Sequence, residues 1–248
     1  MLHKLWRCVL ALSLSLPFTL QAALPEVREF KLENGMKVVL APSSRVPSLT
    51  YFTFFHVGSR NERPGQTGVS HFMEHMMFLG AKKYGPGEFD RVMEQSGGSN
   101  NAFTSQDMTA YNDDIPTEFF AKLVDMETDR MQDVTLDPKL FDSERHVVME
   151  EIRLRDIDDP DGAMEVALNA AAYKASSYHW PVGGWLKDLD VMRRDAAYDY
   201  IKPFYASNTA TLVVVGYFAP AAPEKSIRMP YGATPRALDA PAPLPAAP

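Results

Sequence analysis

His71, Glu74 and His75, in the run His71-Phe72-Met73-Glu74-His75, are the residues here whose types and spacing could do chemistry together. On a helix turning 100° per residue, His75 stands about 40° to one side of His71 and Glu74 about 60° to the other. Both imidazoles and the carboxylate then share one narrow face. Two histidines one turn apart can each give a ring nitrogen to one zinc ion, with Zn–N roughly 2.0–2.1 Å. A carboxylate beside them can take a proton from a water held by that ion, as a metallohydrolase requires. The competing reading is chance on an amphipathic helix. With six histidines in 248 residues, chance seldom produces this triplet.

Two histidines leave zinc under-coordinated, so a third ligand is required. The segment Glu144 to Ile152 offers carboxylates. With Glu144 at 0°, Glu151 falls at about −20°, Val148 at about 40°, Ile152 at about 80° and Val147 at about −60°. Glu144 and Glu151 thus lie within an apolar, inward face, whereas Glu150 at about −120° points away. A carboxylate aimed into a core is costly unless a metal or cation meets it. Glu151 is therefore the expected third ligand. Glu144 is expected one layer further out, orienting a histidine or the metal and its water. The bland alternative is a solvated face with ion pairs to Arg145 or Arg153. His56 is expected in the core or at its rim, and His146 at the surface.

These residues need elements to hold them. Arg28 to Leu32 and Met36 to Leu40 flank Glu33-Asn34-Gly35 and predict a hairpin. Leu49 to Val57 predicts a third strand, and Val69 to Leu79 the helix carrying the motif. A shorter helix is expected over Phe89 to Gln95, then one or two strands over Ala102 to Ile115. Amphipathic helices follow over Glu118 to Met131, Ser143 to Asp156, Ala163 to Lys174 and Arg194 to Tyr205, with a buried strand over Thr209 to Val215. The pattern implies an α+β fold, one sheet under helices.

The composition, 46% hydrophobic and 23% charged, suits a globular domain with a core. Met1 to Ala22 reads as a signal peptide: Lys4 and Arg7, an apolar run from Cys8 to Leu20, then a small-residue cleavage site. The run is too short to span a bilayer. Its removal takes the net charge from −7 to −9, since Lys4 and Arg7 are its only charges, and takes away Cys8, the sole cysteine. A metal would then depend on histidines and carboxylates. An acidic chain without a basic cluster argues against nucleic acid as partner. Residues 23–218 are read as the folded domain. Eight of the 19 prolines lie from Pro220 onwards, so 219–248 is read as a Pro/Ala-rich tail or the truncated end of the domain. No nucleophile elbow, phosphate loop or dinucleotide fingerprint is present.

The motif from His71 to His75, followed 76 residues after His75 by Glu151, resembles the inverted-motif zinc peptidases: pitrilysin, insulinase and the mitochondrial processing peptidase. The resemblance runs from about Glu26 to Phe218 and includes Gly68, Gly80, Asn101-Ala102-Phe103-Thr104, Tyr111, Trp185-Leu186 and Leu212 to Gly216. It implies the catalytic half-domain of a processing-peptidase-like fold, with a mixed, mainly antiparallel sheet covered by helices. It implies one zinc per chain held by His71, His75 and Glu151, with Glu74 as general base towards a zinc-bound water. Asn101, Ala102, Phe103 and Thr104 would form the edge strand to which a peptide substrate adds, and the His179 loop would lie near substrate. An ordinary polar strand is the alternative for 101–104.

Such enzymes work as two homologous halves, the second supplying an Arg/Tyr pair that grips substrate. The resemblance implies a second subunit or half as partner here. The family's Gly-Asp after the last buried strand is Gly216-Tyr217 in this chain, and the helix placed next there is read as replaced by the tail. The expectation is an exported zinc endopeptidase, or the catalytic subunit of one, in a bacterial periplasm, with no membrane span after signal cleavage. A non-catalytic or truncated remnant acting as an assembly subunit is the alternative.

Overall fold

The computed structural model describes residues 26–218 and 222–238. The expected leader, residues 1–22, lies outside the described residues. A six-stranded sheet runs in the order β1-β2-β6-β3-β5-β4. Its strands are β1 (Arg28–Lys31), β2 (Lys37–Pro42), β3 (Ser48–Phe55), β4 (Ser99–Thr104), β5 (Thr109–Pro116) and β6 (Ala210–Gly216). Only β2 and β6 pair parallel; every other neighbour is antiparallel. The mixed, mainly antiparallel sheet implied by the family resemblance is what the chain forms.

Strand alternation sorts the sheet's two faces. Along β3, Leu49, Tyr51, Thr53 and Phe55 are buried, while Thr50, Phe52 and Phe54 are only half-buried. The buried set joins Val38, Leu212 and Val214 in one core with the helices. Those helices are α1 (Val69–Met76), α2 (Glu88–Ser96), α3 (Phe120–Asp133), α4 (Pro138–Ile152), α5 (Pro160–Ala172), α6 (Leu186–Asp190), α7 (Arg194–Phe204) and α8 (Ala222–Gly232). None among the described residues is long and apolar enough to cross a membrane.

Three elements depart from the sequence reading. α4 begins five residues before the expected Ser143, because Asp137 accepts N–H bonds from Lys139 (2.9 Å) and Leu140 (3.1 Å), and Pro138 occupies the first turn. At its other end, α4 widens into a π-helical turn over Arg153–Asp158. The second departure is α5, expected to be amphipathic, which has no buried residue.

The third is the tail. Residues 222–232 form a helix whose Ile227 and Tyr231 are fully buried in the core. The Tyr231 hydroxyl bonds that of Tyr51 on β3, and Asn34 in the β1–β2 turn donates to the carbonyls of Tyr231 (2.6 Å) and Thr234 (2.9 Å). Residues 222–238 are therefore part of the packed domain, and the reading of 219–248 as a tail is corrected over that stretch. Pro223 falls in the helix's first turn, where a missing N–H costs nothing. Glu224 to Met229 contain no proline, a local fact that the regional proline density conceals.

Candidate active site

α1 carries His71, Glu74 and His75 in the middle of the molecule. Val69, Phe72, Met73 and Met76 fix one side of it in the core. Gly68 caps its start in the left-handed region, at φ +86°. The Glu62 carboxylate, buried in the preceding loop, accepts the N–H groups of Gly68 and Ser70, both at 2.8 Å. Two of the four N–H groups left free at a helix start are satisfied in this way. Past the other end of α1, the buried Arg130 guanidinium, paired with Glu127, lies 5.3 Å from the Phe78 ring and 4.5 Å from that of Tyr111.

α4 runs antiparallel alongside. Phe72 meets Phe141 edge-on at 4.7 Å, His75 meets Glu144, and His71 meets Glu151. His71 Nε2 is 3.5 Å from Glu151 Oε1, and His75 Nε2 is 3.2 Å from Glu151 Oε2. All three donor atoms lie within 4.8 Å of one another, the one such cluster among the described residues. Donors at about 2.1 Å on a tetrahedral ion stand roughly 3.4 Å apart, so this set fits zinc. His75 Nδ1 donates to Glu144 Oε1 at 2.8 Å, which leaves Nε2 turned towards the cluster.

Burial and neighbours divide the charges. Burial lowers the His71 pKa to about 4 despite the Glu151 carboxylate, so this imidazole is neutral. Burial also opposes a charge on His75, but the hydrogen bonds to Glu144 and Glu151 outweigh it and raise that ring to about 9. The hydrogen bond from His75, against some burial, holds Glu151 down at about 2. Glu74 is 8% exposed, and burial raises its pKa above the ordinary carboxylate value. Its Oε2 accepts a hydrogen bond from Thr104 Oγ1 at 2.5 Å, which acts the other way.

That bond ties the edge strand to the motif. β4 is paired on one side only, by β5, and its other side is open. Ala102 and Thr104 face the helices, whereas Asn101 and Phe103, the latter 44% exposed, point the other way. The expected substrate residues therefore split between two faces, and Thr104 is the one that hydrogen-bonds the motif. His146 and His56 are exposed, at the surface and at a strand end respectively.

Sequence reasoning missed the groups around the quartet. Arg155, in the π-helical turn, donates to Glu151 Oε1 at 2.9 Å and to Asp156 at 2.8 Å. Thr67 donates to buried Asp188 at 2.7 Å and accepts the N–H of Trp185 at 2.9 Å. Arg155 stands one helical turn after Glu151, a spacing that marks a pair. Glu62, Thr67 and Asp188 carry no local signal.

The profile of the family described as insulinase (peptidase family M16) matches residues 37–184. A protein of Helicobacter pylori named zinc protease PqqE is 31% identical over 209 residues, 84% of this chain and 47% of its own length. A Bacillus subtilis protein named uncharacterized zinc protease YmxG is 30% identical over 190 residues, 77% of this chain and 46% of its own. The crystal structure of a protease from Helicobacter pylori superposes with a TM-score of 0.85 at 28% identity, over 89% of this chain and 54% of that one. The chain thus spans about half the length of the relatives it matches. A profile match over more than half the chain, with relatives 30% identical across most of it, makes this protein a member of the insulinase family, peptidase family M16.

Proposed function

We propose that the chain is the zinc-binding half of an endopeptidase, with His71, His75 and Glu151 holding one zinc and Glu74 as general base. The observation that carries this reading is the convergence of three donors from two helices at separations of 3.2 and 3.5 Å, with a buried carboxylate between the histidines in sequence. When bound, zinc would polarise the scissile carbonyl and bring the pKa of a water down towards ~7. Glu74 takes the proton of the attacking water on the oxygen that Thr104 does not occupy, then delivers it to the leaving amine. Burial, by raising its pKa, makes it a better proton acceptor at neutral pH. Glu144 holds His75 through Nδ1 in the tautomer that offers Nε2 to the metal.

The open edge of β4 takes the peptide as an added strand, through main-chain hydrogen bonds that tolerate many sequences. Thr104 brings that edge to the base. Asn101 to Phe103 contribute backbone, with the exposed Phe103 ring on the far face. A second, homologous half is proposed as partner, supported by the length of the relatives and by α5, whose Met164 and Leu168 are 66% and 64% exposed. The leader-like first 22 residues support export to a periplasm.

The test is the zinc content of the purified chain beside its Glu151→Ala variant, with peptide hydrolysis as second readout. Near-stoichiometric zinc, lost in the variant, is expected. A folded wild-type chain that takes up no zinc would sink the assignment.

A further inference from the structure

Between the start of α1 and the end of α4 sits the loop that carries Gly183 and Gly184. We infer that Gly183 and Gly184, latched by Thr67 and Asp188, form a spacer that sets the separation of the two donor-bearing helices and thereby the affinity for zinc. The inference rests on the proposed metal site.

The helices run antiparallel, so the N-terminus of α1 lies beside Glu151 and Ile152 at the end of α4, with this loop between them. On the α1 side the backbones are in direct apposition. A Cβ on Gly184 would stand 2.5 Å from Gly68 Cα and closer still to Gly68 N, and a Cβ on Gly68 would overlap the Gly183 carbonyl. Gly68 and Gly184 also sit at φ +86° and +80°, where side chains are strained. On the α4 side, a Cβ on Gly183 would stand 2.6 Å from Ile152 Cγ1 and 2.9 Å from Arg155 Nη2. Ile152 follows Glu151 in sequence, and Arg155 holds the Glu151 carboxylate. The loop is therefore as thin as a polypeptide can be at the point where its thickness sets the spacing.

It is also latched. The Thr67 hydroxyl accepts the N–H of Trp185 and donates to Asp188 Oδ2, and the Thr67 N–H reaches the same oxygen at 3.4 Å. Thr67 and Asp188 are both buried, so these bonds face no solvent. A metal site tolerates displacements of about 0.2 Å in its donor distances. One added methyl at Gly183 displaces the side chains of Ile152 and Arg155, and Arg155 is the group that holds the Glu151 carboxylate.

The experiment titrates the full chain with zinc against a chromophoric chelator, and records the visible spectrum of the cobalt-loaded chain. Gly183→Ala and Thr67→Val are expected to lose about 10- to 100-fold in zinc affinity, with an altered cobalt spectrum, measured at a temperature where each zinc-free chain is still folded. Thr67→Ser, which keeps the hydroxyl, and Gly85→Ala, where a Cβ meets nothing within 4 Å, are expected to bind as wild type. Zinc affinities within about twofold of wild type for Gly183→Ala and Thr67→Val, beside a Glu151→Ala chain that has lost zinc, would overturn the inference. A Glu151→Ala chain that binds zinc normally would instead remove the metal site on which it rests. If Gly183→Ala does not fold, the Thr67→Val and Thr67→Ser pair decides by the same criterion.

Discussion

Glu74 has one oxygen engaged by Thr104 and one free for a proton, and it sits between two histidines that carry opposite protonation preferences. A base in that position can be removed without dismantling the site. Glu74→Gln is expected to keep the zinc content of wild type while kcat/KM on a peptide falls by about 10²–10⁴ or more. Turnover close to wild type in a zinc-loaded Glu74→Gln chain would take the role from Glu74. Glu144→Ala acts one bond further out: His75 loses the acceptor that fixes its tautomer, and zinc affinity should fall about 10- to 100-fold with the fold intact. Competition with a chelator measures it. His71, Glu74, His75 and Glu151 were legible because helical periodicity is local, and a residue number translates directly into an angle. Thr104 was named as a substrate residue, but its bond to Glu74 depends on how β4 lies against α1, which no spacing encodes. Arg155 carries a local signal, its spacing of four residues from Glu151. Glu62, Thr67 and Asp188 carried none.

Elements follow the same division. The strands and the motif helix were readable from alternation and from the Asn34-Gly35 turn, whereas α8 was hidden by averaging proline over thirty residues. Its contribution is open to direct measurement. Ile227 is fully buried, so Ile227→Ala should cost about 2–5 kcal/mol, seen as a lower melting temperature; an unchanged one would mean that α8 does not pack in solution. The N-terminus of α1 yields a pH prediction. Burial pushes the Glu62 carboxyl up to about 8, against the pull of the Ser70 and Gly68 N–H groups. A carboxyl whose folded pKa exceeds its unfolded value makes the folded chain bind the extra proton. Its stability contribution is then greatest below about 4.5 and is lost as pH rises through about 8. The total is on the order of 5 kcal/mol at full ionisation. Denaturant unfolding of Glu62→Gln beside wild type isolates it: the variant should lack that part of the decline between those pH values. Parallel profiles for the two chains would contradict it.

At the scale of the whole molecule, the proposed donor set stands on a chain about half as long as its relatives. A remnant freed from catalysis would be expected to lose one of the proposed donors, and His71, His75 and Glu151 are all present. What the fold leaves unfinished is α5, next to the turn that carries Arg155. Met164 and Leu168, one helical turn apart, hold most of their surface in water, and no residue of the helix is fully buried. Water is a poor end state for such a face, since covering each side chain is worth about 1.5–3 kcal/mol. A homologous second half seated there would cover this face, bring its own substrate contacts to the open edge of β4 and close the site. Two expectations follow for a quenched fluorescent peptide as substrate. The zinc-loaded chain alone should cleave it slowly, and a second half supplied in trans should raise kcat/KM. Met164→Lys with Leu168→Lys should leave zinc affinity untouched, because neither residue belongs to the donor set, yet abolish most of that gain. Two apolar contacts at the strength above amount to more than tenfold in association. A double variant that retains the full gain would move the partner to another face. A lone chain as fast as the pair would show that β4, α1 and α4 suffice.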